Sequence, residues 1–365
     1  GKVVGCPHHI LEPARTNLFP YSQTFEGWSD IGTNTTTVQN NAISPDGSLN
    51  ALKIKGSSDN DNNGLAETFT IISGVQSYSI FAKAGEVNIL QVGFGGSFGN
   101  TYANVNLNNG VVEVESNQTT IVSDYGNGWY RVTSIATATA AGAYWFLNIG
   151  DDPNMGRNEN YIGNGTDGLY LFGVQTEQGS YPTSYIPTTT SAVTRVAETA
   201  NGAGDASTFN DSEGVLMAEI SALTDDVSLR NITITDGTTS NRIALLYSVT
   251  SNSIRVFIQD GGVLVFDSTH IISNILTNNK ISIKYKLNDF SLWINGIEVH
   301  TDVSGTTPSG LSSMQFNNGS VAFPFYGSTK QIQYFDSVLT DSELETLTSW
   351  VSFTDMANGQ LYTIE

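Results

Sequence analysis

The stretch Lys280-Ile281-Ser282-Ile283-Lys284-Tyr285-Lys286-Leu287-Asn288-Asp289-Phe290-Ser291-Leu292-Trp293-Ile294-Asn295-Gly296-Ile297-Glu298-Val299 decides the fold class. Ile281, Ile283, Tyr285 and Leu287 alternate with Ser282, Lys284 and Lys286, the period of a strand with one face on a core. Asn288 and Asp289 predict a turn, with Phe290 to Ile294 as the next strand. Asn295 and Gly296 both tolerate positive φ, as a two-residue type I′ turn requires, so Ile297 to Val299 should return as a third antiparallel strand.

Outward from this meander the same grammar repeats. Hairpins are readable at Ile254 to Phe266 around Gly261-Gly262 and at Tyr102 to Val114 around Asn109-Gly110. One helix signal stands out: Thr340-Asp341-Ser342-Glu343 is a capping box, followed by Leu344, Leu347 and Val351 at helical spacing. The expected fold is all-β, two antiparallel β-sandwich (jelly-roll) domains in tandem with one short C-terminal helix over 341–350. At about 150 residues per domain, 365 residues suit two domains. The best boundary lies between Gly179 and Gly204, where Pro182 and Pro187 bias the backbone to extended conformations. The expected division is an N-terminal extension over 1–13, a first sandwich over 14–187, a linker over 188–208, a second sandwich over 209–352 and a tail over 353–365.

Charge narrows the partners. Thirty-five acidic and 15 basic residues give a net charge of −20, and no basic cluster exists to neutralise phosphates, which excludes nucleic acid and disfavours an anionic membrane. No apolar run reaches the ~20 residues that span a bilayer, so membrane insertion is not expected. A single cysteine, Cys6, excludes an intramolecular disulfide and a Cys-based zinc site. His8 and His9 are adjacent, and in an extended segment they point to opposite sides.

Several segments carry a resemblance. Leu11-Glu12-Pro13-Ala14-Arg15-Thr16-Asn17-Leu18, then Tyr21 to Phe25 and Trp28, Ser44-Pro45-Asp46-Gly47, Gly128-Trp129-Tyr130-Arg131-Val132 and Gln175 to Thr188 follow one another along the first half. This half resembles a recurrent segment of phage tail and head-fibre proteins, a jelly roll like those of carbohydrate-binding modules. The second half, from Asn210 to Asp341, is similar to concanavalin A-like (laminin-G-like) sandwiches of phage and marine bacterial proteins. The resemblance implies a virion-surface or extracellular location, glycan and other virion proteins as partners, and a homotrimer by analogy with fibres. It also implies that another segment precedes the Leu11-Glu12-Pro13 region in a longer fibre.

The candidate chemistry points to binding. The Glu-x-Asp-x-x-Glu pattern of sandwich-fold glucanases is absent, as are a Gly-x-Ser-x-Gly elbow, a Walker loop and a dinucleotide fingerprint. Asp59 and Asp61 in Ser57 to Gly64, and Asp151 and Asp152 in Gly150 to Asn154, concentrate oxygen ligands that suit a structural Ca²⁺, although Thr70 stands where an EF-hand-like loop needs its closing Glu. The same residues also dominate solvated turns. Sugar rings stack on aromatic faces while amides bond their hydroxyls, and the segments Phe94 to Tyr102 and Tyr144 to Asn148 interleave aromatics with Gly and Asn. Phe98, Tyr102, Tyr144 and Phe146 are the expected carbohydrate-binding residues. The expected function is non-catalytic recognition of a polysaccharide or cell-surface glycan, with a structural decoration module or a depolymerase as the alternatives.

Overall fold

The computed structural model describes residues 9–69, 73–140 and 142–350. Cys6, His8, Thr70, Val351 and the 353–365 tail lie outside the described residues. The described residues are all-β with one helix, and they form two compact units: 14–196, and 9–13 together with 197–350.

The first unit is a sandwich of two six-stranded antiparallel sheets. The front sheet runs Val111–Ser116, Tyr102–Asn106, Ile89–Gly96, Ala143–Gly150, Gly64–Phe69, Ser29–Asp30. The back sheet runs Thr119–Gly126, Trp129–Ala138, Gly74–Lys83, Gly168–Gln178, Leu49–Lys55, Thr36–Ile43. Alternation directs Leu90, Val92, Phe94, Trp145 and Leu147 from one sheet and Tyr78, Ile80 and Leu52 from the other into a shared core, where Tyr78 stacks on Trp145 at 3.6 Å between ring centroids.

The motifs that carry the family resemblance are fasteners of this sandwich. The Asn17 amide donates to Val174 O (3.1 Å) and Ile186 O (2.9 Å) and accepts from the backbone of Phe19 and Thr176. Glu177, fully buried, accepts from Gln175 Nε2 (2.8 Å), Thr183 N (2.7 Å) and Thr183 Oγ1 (2.6 Å). Ser22 Oγ lies 2.6 Å from the Tyr185 hydroxyl, which burial pushes up to about 12. Trp129 packs with Phe81 and Phe172 on the outer side of the back sheet and donates to Ile43 O, while Tyr130 packs against the main core.

The second unit is likewise a pair of six-stranded sheets. One runs His9–Leu11, Gly327–Phe335, Glu213–Ala222, Asn279–Lys286, Asp289–Ile294, Ile297–Asp302. The other runs Asn201–Ala203, Ser313–Gln315, Arg230–Thr235, Arg242–Tyr247, Ser253–Asp260, Val263–Ile271. In the meander Lys286 pairs with Asp289, so the first turn is Leu287-Asn288 and starts one residue earlier than expected, leaving Leu287 exposed. Asn295 and Gly296 have φ of 50° and 84°, the pair a type I′ turn needs. Phe290, Leu292 and Ile294 enter the core, whereas Trp293 faces outward and is covered by Leu344 of the helix Asp341–Thr348. Thr340 and Glu343 close that helix's capping box reciprocally.

Residues 9–13 and 188–208 are more ordered than an extension and a linker. His9–Leu11 pairs with Gly327–Thr329 along what would otherwise be an open sheet edge with unpaired N–H and C=O groups. Val193–Arg195 pairs with Arg15–Asn17, and Asn201–Ala203 pairs with Ser313–Gln315.

Candidate glycan-binding surface

The outward face of the front sheet is built by alternation between small and aromatic residues. In Ile89–Gly96 the outward positions are Gln91, Gly93 and Gly95; in Ala143–Gly150 their cross-strand partners are Asn148, Phe146 and Tyr144. A Cβ on Gly95 would stand 2.0 Å from Tyr144 Cζ, and one on Gly93 would stand 2.6 Å from Phe146 Cε1. Each ring therefore lies across a glycine that has no side chain to lift it off the sheet. Tyr102, two residues from Asn104 on the next strand, faces the same way.

A row of buried amides then fastens a loop over half of this face. Gln91 Nε2 donates to Asn104 Oδ1 (2.8 Å) and Gly156 O (3.0 Å), and Gln91 Oε1 accepts from Asn158 N (2.7 Å). Asn104 Nδ2 donates to Pro153 O and Met155 O, and Asn148 Nδ2 to Glu159 O. Asn63 Nδ2 donates to Tyr161 O. All four amides are fully buried, and each makes at least one bond to the backbone of residues 153–161. Where this cover ends, Arg157 reaches along the sheet: its guanidinium lies 4.7 Å above the Phe146 ring, and Nη2 donates to Phe94 O (3.1 Å) and contacts the Tyr144 hydroxyl (3.4 Å).

The expected binding residues divide on this geometry. Tyr102 and Tyr144 are half-buried on the outward face. Phe146 shares that face but is fully buried beneath Arg157, so it offers no ring face to a sugar. Phe98 is buried instead: its ring turns inward and sits 4.4 Å from Phe94 in the core of the sandwich. Arg157 was missed from sequence because it stands alone in a polar loop. Its neighbours were legible in principle, since Gln91, Asn104 and Asn148 are single amides between apolar residues in strands.

Three of the four aspartates accept hydrogen bonds within the protein. Asp61 accepts from Thr33 Oγ1 (2.7 Å) and Asn62 N (2.8 Å), bonds that hold its carboxyl below the usual range, and Asp59 accepts from the Asn34 amide (2.6 Å). Asp152 caps Asn154 N, and Asp151 is exposed. Among the described residues no three His, Cys, Asp or Glu side chains converge as metal ligands would.

No protein-family model matches the chain, and the search of curated proteins found no match. Among solved structures, the chain is similar to the CBM40 of Ruminococcus gnavus IT-sialidase, at 18% identity and a TM-score of 0.34 over 41% of this chain and 94% of that one. It is similar also to the heptameric SAP-like pentraxin of Limulus polyphemus, at 10% identity and a TM-score of 0.34 over 42% of this chain and 76% of that one. Domains LG4-5 of the mouse laminin alpha1 chain cover more, 78% of this chain and 88% of that one, at 10% identity and a TM-score of 0.27. At these values the ligand must be argued from this chain's own residues.

Proposed function

We propose that the chain is a non-catalytic glycan-binding protein whose first sandwich presents Tyr102 and Tyr144 to a sugar chain. The observation that carries this reading is the Tyr144 ring, laid across Gly95 and contacted at its hydroxyl by Arg157, so that an aromatic surface is held in place before any ligand arrives. The phage-fibre motifs extend the proposal to a virion-surface appendage, where a homotrimer seated on other virion proteins would add avidity to a shallow site.

Affinity electrophoresis against a polysaccharide panel, with the same mixtures assayed for new reducing ends, tests it. Retardation without new ends is expected, with Tyr144→Ala lowering affinity at least about tenfold by loss of stacking. Loss of retardation in EDTA would add a functional Ca²⁺, for which the Asp59–Asp61 and Asp151–Asp152 loops are the candidate sites. New reducing ends, or no retardation on any glycan, would overturn the reading.

A further inference from the structure

The glycan surface contains one cation that the protein leaves electrostatically open. Lys53, Arg230, Arg255, Lys284, Lys286 and Lys330 each sit within 4 Å of a carboxylate oxygen. Arg157, like Lys83, Arg131, Arg242 and Lys280, has no carboxylate at that distance among the described residues, but it alone of these lies beside Tyr144 on the outward aromatic face. Its Nη2 is used on Phe94 O and the Tyr144 hydroxyl, and Nε points to Thr101 O at 3.4 Å. Nη1 has no hydrogen-bond partner among the described residues, and the side chain is half-buried, so its position is set while two N–H donors stay unused.

Building on the glycan reading, we propose that Arg157 selects an acidic sugar: an oxyanion on the glycan accepts from Nη1 while a neighbouring ring lies on Tyr144. The net charge of −20 does not forbid this, because at physiological salt charges are screened beyond about 8 Å and the local guanidinium decides. A neutral ligand would leave that charge half-desolvated with nothing to answer it. Carboxylate and sulfate share the required chemistry, and the probes separate them.

The test uses the full chain and backbones offered in acidic and neutral form: polygalacturonate and its methyl ester, carboxymethyl dextran, dextran sulfate and plain dextran. Wild type should bind at least one acidic member about tenfold or more tightly than its neutral counterpart, as one charge-assisted hydrogen bond implies. Arg157→Gln should erase that preference while leaving residual neutral binding, and Arg157→Lys should keep part of it. Unchanged thermal melting of both variants checks that the sheet cover is intact. Equal binding of acidic and neutral members by wild type, or a preference that survives Arg157→Gln, overturns the inference and leaves the glycan reading standing. No binding to any member, charged or neutral, removes both.

Discussion

The two sandwiches cover their outer sheet faces by opposite means. The front sheet of the first unit is roofed by residues 153–161, tied down through Asn104, Gln91, Asn148 and Asn63. The meander sheet of the second is roofed by a helix seated through Leu344 and Leu347 on Trp293 and Val215. Hydrogen bonds are local and directional, so a polar roof can stop at a chosen row and leave the next row open, as it does at Tyr144. An apolar roof gains by covering everything within reach. The open row in the first unit is thus a product of how that unit is closed.

Breaking the apolar roof should have the largest effect. Trp293→Ala, at a residue 7% exposed, is expected to cost about 3 to 5 kcal/mol, read as a fall in the denaturant midpoint of the second unit. Gln91→Ala breaks the polar one by stranding Asn158 N, Asn104 Oδ1 and Gly156 O, and should cost about 2 to 3 kcal/mol in the first unit's transition only. If both variants lower the same calorimetric transition equally, the two roofs are not independent. Gly95→Ala sharpens the contrast, since its Cβ must displace the Tyr144 ring. A stability loss of about 1 to 2 kcal/mol should accompany loss of glycan retardation.

The smallest effect is a pH dependence. Burial pushes the Asp226 carboxyl up, but the hydrogen bond and charge of Arg230 outweigh it, and the group ends below its ordinary value. A lowered folded value contributes stability above the unfolded value of about 3.9, and that stability is lost as pH falls through the folded one. Asp226→Asn should therefore lower stability at pH 7, read from the urea midpoint, by less than about 1 kcal/mol, and the difference from wild type should shrink as pH falls below the unfolded value. A difference that does not shrink on acidification would assign the effect to something other than charge.

Much of this was legible in sequence, and the limits have physical causes. The Asn295-Gly296 turn and the Thr340–Glu343 capping box depend on neighbours in the chain, and both stand as expected. Alternation placed Tyr144, Phe146 and Asn148 on one face, but period two cannot say whether that face is roofed, so Phe146 read as exposed. Phe98 lies outside any strand, where no period applies, and only the fold reveals that it plugs the core. The Asp-rich loops read as metal sites or as turns because the same oxygens serve both; in the structure Asp59 and Asp61 accept from Asn34 and Thr33 of a distant loop, a contact that no local pattern encodes. His9–Leu11 is three residues long and finds its partner more than three hundred positions later, a pairing no local pattern encodes.

That last pairing has a consequence for synthesis. Because His9–Leu11 and residues from Ala197 belong to one unit while Ala14–Val196 forms another, the first sandwich is an insertion within the second. At about 5 to 20 residues per second, the N-terminal strand waits roughly 15 to 60 s for Gly327–Thr329 to emerge from the ribosome. During that interval the inserted sandwich can finish folding, and the host sandwich cannot. A truncated chain starting at Ala197 would carry a permanently bare edge along Gly327–Thr329, inviting a foreign strand, whereas excising 14–196 keeps that edge together with its own partner strand.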